Sequence, residues 1–198
     1  MKTAFIIAGF NMNQSAADDK YKNLRKTVAL KGYRVIPVPF TWNYTTVDQY
    51  TERLVTFYNK HKSTKNIVIG NSYGAMVAFL SAPKIAPNRI FLCSLSPFFK
   101  EDKDKTSKEY RIKRFGKRRN NAMDLISAKQ TARQINATST DVVMLYGEQE
   151  KTVYPHLVER VKSTAKDLHK CRLIEVPHAP HSFQDINYIE GIRLALED

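Results

Sequence analysis

Solid apolar runs alternate along this chain with stretches in which apolar residues return every third or fourth position. The runs Thr3–Ala8, Tyr33–Phe40, Asn66–Gly70, Arg89–Leu95, Val142–Tyr146 and Arg172–Val176 predict six strands. Between the first two, Tyr21, Leu24 and Val28 predict a helix that Gly32 ends. Val47, Tyr50, Leu54 and Phe57 give the inner face of a second helix, with Thr45 or Thr46 as its cap. A third opens at Gly74–Leu80 and is closed by Pro83 and Pro87. Two more fill Val153–Leu168 and Phe183–Leu196. Strands without polar interruptions are buried on both faces, as a parallel sheet requires. The expected fold is therefore α/β: a doubly wound, mostly parallel six-stranded sheet with helices on both faces. In such sheets the chemistry lies at the carboxyl ends of the strands.

One stretch breaks the alternation. Residues 100–119 carry ten Lys or Arg against four Asp or Glu, which contributes +6 to a formal charge of +13 for the chain. Few apolar anchors accompany them. The 198 residues suit one domain, 1–198, with this basic segment as an excursion or small lid at about 98–135. A cationic balance favours anionic partners. Binding of nucleic acid or an anionic membrane surface through 100–119 is one reading. Only Tyr110 and Phe115 interleave the charges, however, and a solvated, flexible loop is favoured over it.

Cys93 and Cys171 each sit in an apolar run and form no disulfide framework. Buried free thiols suit a reducing compartment. The apolar run at the amino terminus stops at Gly9, short of a signal peptide, and no stretch reaches the length of a membrane span. A cytoplasmic protein is expected. No Cys/His cluster suggests a metal, and no cofactor is expected. The oligomeric state is not legible.

The chemistry concentrates in Ile67-Val68-Ile69-Gly70-Asn71-Ser72-Tyr73-Gly74-Ala75-Met76. An apolar strand runs into Gly-x-Ser-x-Gly, and a helix follows. A serine on such a turn occupies a strained backbone conformation with its hydroxyl exposed. Gly70 and Gly74 let neighbouring elements pack against the turn. The first N–H groups of the following helix aim at the place where an oxyanion would form.

In this elbow, and in the order of its strands and helices, the chain resembles the α/β-hydrolase superfamily. The likeness covers nearly the whole sequence and resembles that fold without its first two strands. It implies a serine nucleophile, an acid and a histidine, in that chain order. Ser72 then takes the nucleophile's place. His181, in His181-Ser182-Phe183 after the last strand, takes the base's place, with His178 as its rival. Glu150 stands where the family often has aspartate, with Glu148 as main rival and Glu101 or Asp102 as remote ones. The resemblance further implies backbone oxyanion donors at Tyr73 and at Phe10. At the end of the first strand the family usually has His-Gly before the second donor, and here Ala8 stands in the histidine's place before Gly9.

Aromatic residues near strand ends, Trp42, Phe98 and Phe99 with Phe10 and Tyr73, offer an apolar substrate pocket, with ordinary core packing as the alternative. Asn11 and Asn13 offer polar contacts or merely turn their loop. The expected activity is hydrolysis of a small carboxylic ester or thioester through an acyl-enzyme, with an anionic substrate favoured by the charge. Peptidase and lipase activities stay open, because one triad serves all of them. The alternative is a nucleic-acid- or anionic-surface-binding protein on a hydrolase scaffold.

Overall fold

A computed structural model describes residues 1–10, 20–42 and 45–197. Six strands form one all-parallel sheet: β1 (Lys2–Ile7), β2 (Tyr33–Pro37), β3 (Lys65–Asn71), β4 (Arg89–Cys93), β5 (Asp141–Gly147) and β6 (Cys171–Val176), in the spatial order β2-β1-β3-β4-β5-β6. The predicted α/β architecture is the observed one.

The strands alternate between two cores. On one face Phe5, Ile7, Val68, Ile90, Leu92 and Met144 meet α2 (Val47–His61), α3 (Tyr73–Ile85), α6 (Ala128–Asn136) and α8 (Pro155–Asp167). On the other, Ala4, Ile6, Ile67, Ile69, Phe91 and Leu145 meet α1 (Lys22–Leu30) and α9 (Ile186–Ala195). Both faces of the central strands are apolar, so their side-chain period of two is hidden in the sequence. The edge strands β2 and β6 are only partly buried.

Three boundaries depart from expectation. α3 runs through Pro83 to Ile85 and ends at Ala86, whose φ of 38° is left-handed. A proline this late in a helix removes a single late-turn bond, and Ile85 remains buried beyond it. The expected helix 153–168 is two: a short α7 (Glu150–Val153), then α8, which starts on Pro155, where a missing N–H costs nothing. The last helix begins at Ile186, because Asp185 caps it through the N–H groups of Asn187 and Tyr188.

The basic segment is helical, not a solvated loop. A 3₁₀ turn (Lys100–Asp102) leads into α4 (Lys108–Phe115), α5 (Lys117–Met123) and α6. Its charges serve as anchors, which a count of apolar residues overlooks. Arg111, fully buried, binds Asp124 at 2.9 Å. Arg119 donates to the Thr45 and Trp42 carbonyls. Asp102 and Arg160, 1% and 4% exposed, form a two-pronged ion pair at 2.8 and 2.6 Å.

Truncating one partner of such a pair leaves an uncompensated buried charge. Asp102→Ala is therefore expected to lower folding stability by about 3–5 kcal/mol, read from urea unfolding. A loss below about 1 kcal/mol would mean that Arg160 finds water when its partner is gone.

Candidate active site

β3 delivers Ser72 to the carboxyl edge of the sheet, and α3 begins at the next residue. Ser72 has φ 54° and ψ −116°, a conformation that L-residues avoid. Its N–H donates to the Cys93 carbonyl at 2.8 Å, and its own carbonyl accepts from the N–H groups of Met76 and Ser96. These bonds fix the turn against β4. A Cβ on Gly70 would stand 2.5 Å from the Gly74 carbonyl oxygen, and one on Gly74 would stand 2.4 Å from that of Ala8. Only hydrogen in those two places lets β1, β3 and α3 close around the serine.

The end of β1 lies against this turn. A Cβ on Gly9 would come 3.6 Å from the Ser72 Cβ. Phe10 follows directly, with its ring 5.4 Å from Tyr73 and 5.1 Å from Phe115. The loop that carries Phe10 and the first turn of α3 that carries Tyr73 thus flank Ser72. The Tyr73 N–H is the first of its helix and has no intrahelical acceptor.

Glu150 is buried in the first turn of α7. Its Oε1 lies 2.5 Å from Nδ1 of His181 and accepts the Ser94 hydroxyl at 2.6 Å. Its Oε2 accepts the Gly147 N–H at 3.1 Å. A Cβ on Gly147 would meet the Ala179 carbonyl oxygen at 2.2 Å, so that glycine lets the His181 loop dock on β5. The rival acids are engaged elsewhere. Glu148 accepts the backbone N–H of His178 and faces its ring, a pair exposed to solvent. Glu101 caps α6 by accepting from Ser127 and from the N–H groups of Ala128 and Lys129. Asp102 is bound to Arg160.

Ser72 and His181 line one cavity of about 280 Å³. No hydrogen bond joins their side chains in this structure. The Ser72 hydroxyl lies instead 3.2 Å from that of Ser96, also on the cavity wall. Catalytic hydrogen bonds are often loose in ligand-free sites and tighten around the substrate.

Of the proposed substrate contacts, Phe98 lines this cavity. Trp42 does not: it is buried among Phe10, Phe40, Tyr50 and Tyr73, as core. Phe99 is core too, packed on Phe79. Asn11 and Asn13 lie outside the described residues.

Two contributors were not legible. Ser94 follows β4 with φ 54°, and its hydroxyl links Glu150 to the buried Tyr188 hydroxyl at 2.7 Å. Ser96 meets Ser72. The pattern Ser94-Leu95-Ser96 sits at a strand's carboxyl end, which was the one available signal. Cys93, by contrast, points into the core, and burial pushes its thiol well above the ordinary range. It is not available as a nucleophile.

Among the described residues no three His, Cys, Asp or Glu side chains gather in a way that could hold a metal ion. Nor is any helix long and apolar enough to cross a membrane.

No family model matches the sequence, and no curated protein does. Solved structures do match. A bromoperoxidase from Bacillus anthracis superposes with a TM-score of 0.72 at 11% identity, covering 100% of this chain and 91% of that one. A lipase-esterase related protein from Clostridium acetobutylicum gives 0.70 at 16%, covering 99% and 93%. An α/β-hydrolase enzyme, MGS-MChE2, from a lagoon-sediment metagenome gives 0.70 at 18%, covering 100% and 90%.

Proposed function

On the α/β-hydrolase fold that this chain adopts, we propose that it works as a serine hydrolase cleaving a small carboxylic ester or thioester. One observation carries the reading: a buried carboxylate, Glu150, holds Nδ1 of His181 at 2.5 Å on the wall of the cavity that Ser72 enters from a strained turn. A carboxylate on Nδ1 keeps that nitrogen protonated and leaves Nε2 as the free base.

Ser72 attacks the carbonyl carbon while His181 takes its proton. The C–O π electrons move onto oxygen, which the N–H groups of Tyr73 and Phe10 hold. The tetrahedral intermediate collapses as His181 protonates the leaving group. Water, deprotonated by the same histidine, then releases the acyl chain from Ser72. Helix α4 serves as part of a small lid over this site, with Tyr110 and Arg114 on the cavity wall beside the apolar surface of Phe98. Esters are favoured over other acyl compounds because the matched solved structures include a lipase-esterase related protein.

The alternative, a nucleic-acid- or membrane-surface-binding protein, is weakened by the burial of Arg111 and Arg119 within the segment meant to bind. A cytoplasmic setting is supported by two free thiols: Cys93 lies in β4 and Cys171 in β6, with β5 between them.

The test is covalent labelling of the intact protein with a fluorophosphonate, followed by mapping of the modified peptide. Modification of Ser72, slowed by a p-nitrophenyl ester that the protein also hydrolyses, is expected. A protein that stays unmodified and turns over no ester would overturn the proposal.

A further inference from the structure

The cavity's wall carries a cation that no carboxylate among the described residues neutralises. Arg114, near the end of α4, lines it together with Ser72 and His181. Among the described residues no other Lys or Arg lines the cavity, and three basic neighbours in the segment are engaged: Arg111 with Asp124, Lys105 with Glu159, and Arg119 with two backbone carbonyls. His156, also on the wall, lies 3.8 Å from Glu159. Among the described residues Arg114 has no carboxylate within ion-pair reach. Its one neighbour of note is the Phe115 ring, 5.9 Å away.

Among the described residues no Asp or Glu lines this cavity. The nearest acid in the machinery, Glu150, is fully buried behind His181 and accepts three hydrogen bonds. Position matters as much as charge. Phe115 is seated against Phe10, Tyr73 and Phe98, so the end of α4 is held beside the Ser72 turn, and the exposed Arg114 side chain starts from that anchored backbone. Tyr110, one helical turn earlier, lines the same wall and adds a hydroxyl.

We propose that the substrate is an ester carrying a carboxylate, and that Arg114 reads this group while the ester carbonyl sits at Ser72. This rests on the serine-hydrolase reading and adds the substrate class. A guanidinium matches a carboxylate with two parallel N–H···O bonds. One free cation suits one negative charge. A phosphate dianion asks for a second, and His156 already shares Glu159. The carboxylate sits either on the acyl chain or on the leaving group, and the experiment separates the two.

Two pairs of esters decide it. The acyl pair is p-nitrophenyl hydrogen adipate against p-nitrophenyl hexanoate. The leaving-group pair is 4-carboxyphenyl butyrate against its methyl ester. In one pair kcat/KM is expected to favour the carboxylate by about 10- to 100-fold, the usual worth of a hydrogen bond to a charged group. Arg114→Gln should collapse that ratio towards unity, and Arg114→Glu should invert it. Lys113→Gln, which removes the same charge one residue away and off the cavity wall, should leave the ratio standing. Equal turnover within both pairs, or a preference that survives Arg114→Gln, overturns the carboxylate assignment while leaving the hydrolase reading intact. No turnover of any of the four esters, with no fluorophosphonate labelling, overturns both.

Discussion

Ser72→Ala is expected to lower ester turnover by about 10⁴- to 10⁶-fold and to abolish fluorophosphonate labelling, while the protein stays folded. The loss is large because the hydroxyl is the atom that forms the bond, and no other group can take its place. Ser96, 3.2 Å away, has a hydroxyl on the same wall. It sits beyond β4, however, and not at the head of α3, so the first N–H groups of that helix do not converge on its acyl product. A remainder above the uncatalysed rate is expected from the oxyanion donors and from binding alone.

The same position separates chemistry from strain. Alanine keeps a Cβ at φ 54° and so keeps the conformational cost of the turn. Ser72→Gly removes it. That variant should be equally inactive and yet more stable than Ser72→Ala, by about 1 kcal/mol, read as the difference in urea midpoints at constant slope. Equal stability of the two variants would mean that the neighbouring bonds to Cys93, Met76 and Ser96 hold the turn without strain.

What could be read from the sequence follows from what each element needs. β3 and α3 were legible because an apolar strand, two glycines and an apolar continuation closed by prolines all point one way at Ser72. His181 and Glu150 were proposed by resemblance in the order of elements. Neither has a local signature that sets it apart from His178 and Glu148, three and two residues away. The structure separates them by burial: Glu150 is inside and Glu148 faces solvent. Burial of a charged residue is a tertiary fact, which depends on Gly147 letting the 178–182 loop dock. Ser94 was missed because its one signal, the position of Ser94-Leu95-Ser96 at a strand's carboxyl end, does not say which side chain a serine there will meet. The helices of the basic segment were missed for another reason. Their anchors are ion pairs such as Asp102–Arg160, whose partners lie 58 positions apart and leave no periodic trace.

Glu150→Gln, an isosteric change at the other end of the relay, is expected to lower kcat and kcat/KM together by about 10⁴-fold. The geometry dictates how. The carboxylate accepts three bonds: from Gly147 N–H on Oε2, and from Ser94 and His181 on Oε1. Glutamine offers one oxygen and one NH₂ group. The Gly147 N–H is a backbone donor and cannot turn round, so the amide oxygen must face it. The NH₂ group is then left pointing at His181 and Ser94. Ser94 can rotate its hydroxyl and accept. His181 can accept only by giving up the Nδ1 proton, which moves to Nε2, the nitrogen that must be empty to receive the proton of Ser72. The variant is thus trapped in the wrong tautomer with its folded structure intact. Acidic pH does not rescue it, because a protonated imidazole is no base either. A nitrogen-15 NMR spectrum of labelled histidine should show the Nε2–H form of His181 in Glu150→Gln and the Nδ1–H form in the parent. A variant that keeps the parent tautomer and still turns over esters at a tenth of the parent rate or better would remove Glu150 from the relay.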